Sequence, residues 1–180
     1  MNIGAVTSRG FAGGIISPKT TSDESFDINS IVENASPVEK GKTIGLMTVG
    51  NLVYLAKYAD SSTLDNPVVK IGDNEISVKD VNPSNATEME MCALMSYLDD
   101  VGASGNHGMS SFSKMKAYGS QAEYNGVCSG IYDADSVMTK KQNWMEIIKN
   151  AKNIFASIPA TYAQASNCEN MLNAMENGLS

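Results

Sequence analysis

The sequence predicts an α+β domain in which a small antiparallel β-sheet of three or four strands is followed by about four α-helices packed on it. Three observations carry this expectation. Strand-like runs separated by turn residues fill residues 42–80. Beyond residue 82 the apolar residues recur at helical spacing instead. The two regimes follow one another without βαβ alternation, which argues against a parallel α/β sheet.

Taken in order, residues 1–40 are rich in Gly, Ser, Thr and Asn, and their apolar residues follow no sustained period. They are expected to form a mobile or loosely docked tail ahead of a single domain over residues 41–180. Within the tail, Ile28, Ile31 and Val32 are spaced for one helical turn that docks on the domain, started by Asp27 or Asn29. The run TIGLMTVG (43–50) predicts a strand and Gly50-Asn51 a tight turn. LVYLAKYAD (52–60) is long enough for a helix, but its β-rich surroundings favour a second strand. VVKIGDNEISV (68–78) reads as a hairpin turning at Gly72-Asp73-Asn74, with Ile76 and Val78 on the return.

The helix from Asn82 to Val101 is the predicted centre. Pro83 suits a helix entrance, because proline has no N–H to lose in the first turn. Asn85 with Glu88 has the spacing of a capping box. Met91, Leu94, Met95, Leu98 and Val101 share one face, and Met89, Cys92, Ala93 and Tyr97 widen it until little polar surface remains. Such a helix is buried on more than one side. A second helix is predicted from about Ser110 to Tyr124, with Phe112, Met115 and Tyr118 inward. A third is predicted from about Asp135 to Ser157, on the stripe Val137, Trp144, Ile148, Ala151 and Phe155. The fourth, from about Ala160 to Glu176, carries Ala165, Cys168, Leu172 and Met175. Eight methionines lie in these helices; their positions on the stripes assign them mainly to the core, and the other role open to them is an adaptable partner-binding surface.

Composition narrows the function. The 180 residues suffice for one real core, 42% of them are hydrophobic and 18% charged, and the net charge is −7 with Arg9 as the single arginine. Nucleic acid needs a basic stripe and an anionic membrane surface needs clustered cations, so neither is an expected partner. No apolar run reaches the roughly 18 residues of a transmembrane helix. The N-terminus lacks the basic start of a Sec signal. The chain is therefore expected to be cytoplasmic, or exported without a cleaved Sec signal peptide. Its Ser/Thr/Asn-rich start resembles in composition the unfolded export signals of flagellar and related substrates. Cys92, Cys128 and Cys168 are odd in number and far apart, which is neither a disulfide framework nor a zinc pattern.

LAKYADSSTLDNPVV (55–69), VKDVNPSNATEMEMCALMSYLDD (78–100) and KMKAYGSQAE (114–123) together resemble a pattern in uncharacterised proteins of anaerobic gut Firmicutes. The likeness spans roughly residues 45–175. It implies a bacterial chain of narrow lineage. That group has no assigned activity, so the resemblance transfers no site residue.

Several constellations bear on chemistry. Gly126-Val127-Cys128-Ser129-Gly130 has the outline of a nucleophile elbow with cysteine in place of serine. His107, the single histidine, lies in a second Gly-rich loop. A Cys128–His107 pair oriented by Asp99, Asp100 or Asp133 would make a thiol hydrolase, although no apolar strand precedes the elbow. Gly41-Lys42-Thr43 ends like a phosphate loop but lacks its first glycine and its following helix. Asp133-Ala134-Asp135-Ser136 starts like a calcium loop but lacks the closing glutamate. Asp99 and Asp100 oppose the dipole at a helix C-terminus, which marks them for inspection as metal ligands with His107. Asn85-Ala86-Thr87 matches a glycosylation sequon but falls at a helix start. Tyr97, Tyr118 and Trp144 are candidates to line a Met- and aromatic-rich ligand pocket. The sequence supports no metal and no cofactor. It favours a non-enzymatic protein-interaction or structural protein, exported or homo-oligomeric, over the thiol hydrolase and the small-ligand binder.

Overall fold

The computed structural model describes residues 38–105, 111–124, 137 and 139–178. Four antiparallel strands form one sheet in the order β1-β2-β3-β4: β1 (Thr43–Val49), β2 (Leu52–Tyr58), β3 (Val68–Ile71) and β4 (Asn74–Ser77). Four helices follow: α1 (Glu88–Asp100), α2 (Ser111–Tyr124), α3 (Trp144–Ala156) and α4 (Tyr162–Asn177). The α+β class, with an antiparallel sheet followed by four helices, is the one the sequence predicts. Gly50 and Gly72 take positive φ in the two hairpin turns, a conformation that glycine adopts without steric cost.

The alternation of β2 sets the faces of the sheet. Tyr54, Ala56 and Tyr58 point inward with their partners Met47, Gly45 and Val69, while Val53, Leu55 and Lys57 point outward. α1 lies across the inner face and packs on β1, β2 and β3. Its other side meets α2, which packs on α3, and α3 in turn packs on α4. This position between sheet and helices explains why α1 is apolar nearly all round. Met91, Leu94, Met95 and Leu98 are each fully buried, at about 1.5–3 kcal/mol apiece. The methionines largely fill the core: Met47, Met89, Met91, Met95, Met115, Met171 and Met175 are all buried.

Several boundaries differ from expectation. α1 does not start at Asn82 or Asn85. Asn82 Oδ1 accepts the Ser84 N–H at 2.9 Å and its carbonyl accepts the Asn85 N–H at 2.8 Å, so this stretch is a turn. The cap is Thr87, in a reciprocal capping box with Glu90. α3 begins at Trp144 instead of near Asp135. Asn143 caps it through the Glu146 N–H, and Gln142 is held extended by two backbone bonds to Ala86. Val78 leaves the hairpin to begin a 3-10 turn at 78–80, and another at 159–161 precedes α4.

Candidate functional site

Cys128, His107 and Asp133 lie outside the described residues, as do the first 37 residues with Ile28, Ile31 and Val32. Their proposed partner Asp99 is described, and its bonds are structural. Asp99 is buried; its Oδ2 accepts the Ser111 N–H at 2.9 Å and its Oδ1 accepts the Ser104 hydroxyl. A carboxylate that opposes the dipole of α1 thus sits at the start of α2, where the dipole favours negative charge. Asp100 faces the sheet instead. Lys42 Nζ lies 2.7 Å from its Oδ1, and the Tyr58 hydroxyl donates to its Oδ2 at 2.9 Å. Burial, then the Asp100 charge, pushes the Tyr58 phenol up; the same two causes push Tyr97 up to about 12. Lys42 of the phosphate-loop-like tripeptide is therefore a tie between β1 and α1. Among the described residues, no three His, Cys, Asp or Glu side chains are grouped to hold a metal.

A second ionic pair lies at the other end of α1. Glu88 is buried and paired with Lys116 of α2. Lys116 Nζ also donates to the Thr48 carbonyl at 3.3 Å and lies 5.9 Å from the Phe112 ring centroid. One lysine thus neutralises a buried acid and occupies a carbonyl of β1, an edge strand of the sheet.

Both described thiols are buried. Burial pushes Cys92 up to about 12, and its Sγ lies 3.9 Å from both the Leu46 carbonyl and Ser96 Oγ. Burial also raises Cys168 to about 12, with Lys152 opposing the shift.

The three aromatic candidates have separate surroundings. Tyr97 is buried close to Tyr58 and Asp100. Tyr118 meets Phe155 edge-on, 5.0 Å between centroids, and its hydroxyl accepts from Asn167 Nδ2 at 3.2 Å. Trp144 is fully buried and donates from Nε1 to the Ala86 carbonyl at 2.9 Å. Three clefts lie elsewhere among the described residues. A cleft of about 470 Å³ lies between α3, α4 and Ser84, lined by Asn143, Glu146, Lys149 and Asn150 among others. One of about 350 Å³ adjoins it, around Lys140 to Asn143. A third, of about 260 Å³, lies beside the β3–β4 turn, between Tyr54, Val49, Met89 and Val137.

The feature that sequence reasoning missed is the outer face of the first hairpin. Val53 is 65% exposed and Leu55 46%. Leu46 is half-buried directly opposite Leu55. Along the same face Lys57 follows Leu55 and stands opposite Lys70 of β3. Neither lysine has a carboxylate within ion-pair distance among the described residues. The result is an aliphatic patch bordered by a row of charges, Lys57, Lys70 and, opposite Lys70 on β4, Glu75. The available signal was the run LVYLAKY itself, which is apolar at both odd and even positions of one strand. Comparison with protein-family models, curated proteins and solved structures finds no match.

Proposed function

We propose that this is a non-enzymatic protein-interaction chain of bacterial origin whose contact surface is the outer face of β1–β2. The observation that carries the proposal is the Leu46, Val53 and Leu55 patch beside Lys57 and Lys70, on the side of the sheet opposite α1. An aliphatic centre bordered by charge suits a protein contact. The engagement of Asp99, Asp100 and Glu88 in structural bonds is consistent with it. Export directed by residues 1–30 is the companion proposal, supported by their Ser/Thr/Asn-rich composition.

The contact is tested by placing a photo-crosslinking residue at Val53 in the native cell, with Lys79 as a control site. The expected result is one crosslinked species of constant mass from Val53 and none from Lys79. A species of twice the chain mass makes the contact a homodimer, and equal diffuse labelling from both sites overturns the proposal. Export is tested by quantifying the chain in medium and cytoplasm against a cytoplasmic marker. Removal of residues 1–30 should retain it inside, and continued export overturns that part.

A further inference from the structure

We infer that the cavity at the hairpin end of the sheet's inner face binds a small organic cation, a compact aromatic or aliphatic body carrying a protonated amine. The cavity is on the side of the sheet opposite the Val53 and Leu55 patch and stands independently of it.

The first observation is a gap in the packing. Val49 of β1 and Tyr54 of β2 belong to the inner face, alternating in step with Met47 and Ala56. Met47 and Ala56 are fully buried, whereas Val49 and Tyr54 are only half-buried, and Leu52 at the hairpin tip is exposed. The layers that close over most of the inner face thus part near the first turn of α1, where Met89 stands. The space between them is about 260 Å³, with Val49, Tyr54, Met89 and Val137 as its apolar walls. Met89 and Val137 are buried and tied together, the Met89 N–H bonding the Val137 carbonyl at 3.4 Å. Interiors are packed without spaces of this size, and an apolar cavity with a few polar groups at its rim is the form of a small-molecule site.

The second observation is the charge at the rim. The β3–β4 turn brings Gly72, Asp73 and Asn74 to the cavity. Asp73 is the one lining residue charged at neutral pH, and among the described residues it has no ion pair. The ionic groups in the first turn of α1 are already engaged: Glu88 with Lys116, and Glu90 with the Thr87 N–H and with Lys141 at 3.7 Å. The uncompensated charge at the cavity is therefore negative. Asn74 adds a carboxamide oxygen able to accept an N–H. The Tyr54 ring is seated against the same turn, since a Cβ on Gly72 would lie 3.3 Å from Tyr54 Cδ1. An ammonium paired with Asp73 then stands beside an aromatic ring, which attracts cations over its face.

The third is size. A cavity just below the drug-sized range takes a body of roughly ten non-hydrogen atoms, the size of 2-phenylethylamine. With one exposed carboxylate to pair, its dissociation constant should be on the order of 1 mM.

The test is an NMR titration of the full chain with 2-phenylethylamine, against 2-phenylethanol as the uncharged analogue and phenylacetate as the anion. Saturable shifts are expected at the Val49, Met89 and Val137 methyls and at Tyr54. The alcohol should bind about twofold to fivefold more weakly, the worth of one exposed ion pair, and phenylacetate more weakly still. Asp73→Asn keeps a turn-forming residue and should weaken the amine by the same factor while leaving the alcohol unchanged. Val49→Phe, which fills the cavity from a half-buried position, should abolish the shifts from all three; Asp73→Asn carries the test alone if that variant is unstable. The inference is overturned if the amine gives no saturable shifts at about ten times the expected constant, or shifts only another surface. Binding of the alcohol or phenylacetate as tight as that of the amine overturns it too, as does an Asp73→Asn chain that binds the amine unchanged.

Discussion

Gly45 is where the backbone of β1 meets α1. A Cβ placed there would lie 1.9 Å from Ser96 Oγ and 2.6 Å from Ser96 Cβ, with Ala56 Cβ at 3.3 Å. The only relief is to separate helix from sheet, so Gly45→Ala should lower stability by about 1–3 kcal/mol in denaturant titration. Adding Ser96→Gly, which removes the clashing atoms, should recover part of the loss. Lack of any recovery would mean that the strand, and not the contact, carries the cost. The buried thiols make a second prediction. Cys92 and Cys168 are neutral when protonated, and burial raises both to about 12, against about 8.5 in an unfolded chain. Folding therefore favours the proton. Their contribution to stability is fully present below about pH 8.5, and is lost as pH rises through the folded values near 12. Stability should fall across that alkaline window. At pH 8, a thiol reagent should modify neither residue in the folded chain and both after unfolding. Rapid labelling of either in the native state would contradict this.

The start of α1 shows what local sequence can and cannot specify. Asn82-Pro83, the Asn85/Glu88 spacing and the Thr87/Glu90 spacing are all valid helix starts, and single-residue chemistry does not rank them. The decision comes from residue 142: its two backbone bonds hold Ala86 extended, and the Trp144 indole takes the Ala86 carbonyl. An extended Ala86 makes Thr87 the first residue able to cap. Thr87→Ala should therefore cost about 1 kcal/mol, while Asn85→Ala, at an exposed turn position, should stay within about 0.5 kcal/mol. Equal costs would restore the Asn85 cap. Trp144→Phe keeps a buried ring but removes one of the two N–H groups that the Ala86 carbonyl accepts, the Gln142 N–H remaining, and should cost about 0.5–1.5 kcal/mol. Because Trp144 is the single tryptophan, its fluorescence follows the same unfolding, shifting to the red as the indole meets water. The same comparison explains the legibility of the fold. The strands, the hairpin turns and the apolar stripes were readable because each is written within ten or so residues. The late start of α3 was not, since it depends on pairing between residues 56 positions apart. The structural role of Asp99 was not readable either, because its partners, Ser104 and the Ser111 N–H, are brought to it only by the turn into α2.

At the scale of the molecule, the organising fact is that the sheet carries α1 on one face and presents Val53 and Leu55 on the other. The two faces of β2 should respond in opposite ways to substitution. On the inner face, Ala56 is fully buried opposite Gly45 and Ile71. Ala56→Leu forces extra volume between sheet and α1 and should cost about 1–3 kcal/mol, with no effect on surface contacts beyond that of a destabilised fold. On the outer face, Val53→Thr with Leu55→Thr places β-branched residues at both positions of the strand while reducing the aliphatic surface. Stability should change by no more than about 1 kcal/mol, the sum of two surface substitutions. A folded, stable chain of this kind that no longer crosslinks through a residue placed at Thr48, on the same outer face, would locate binding on the face itself. If the Ala56 variant loses the crosslink and the outer-face variant keeps it, the patch is only a surface, and the contact depends instead on the integrity of the packed layers beneath.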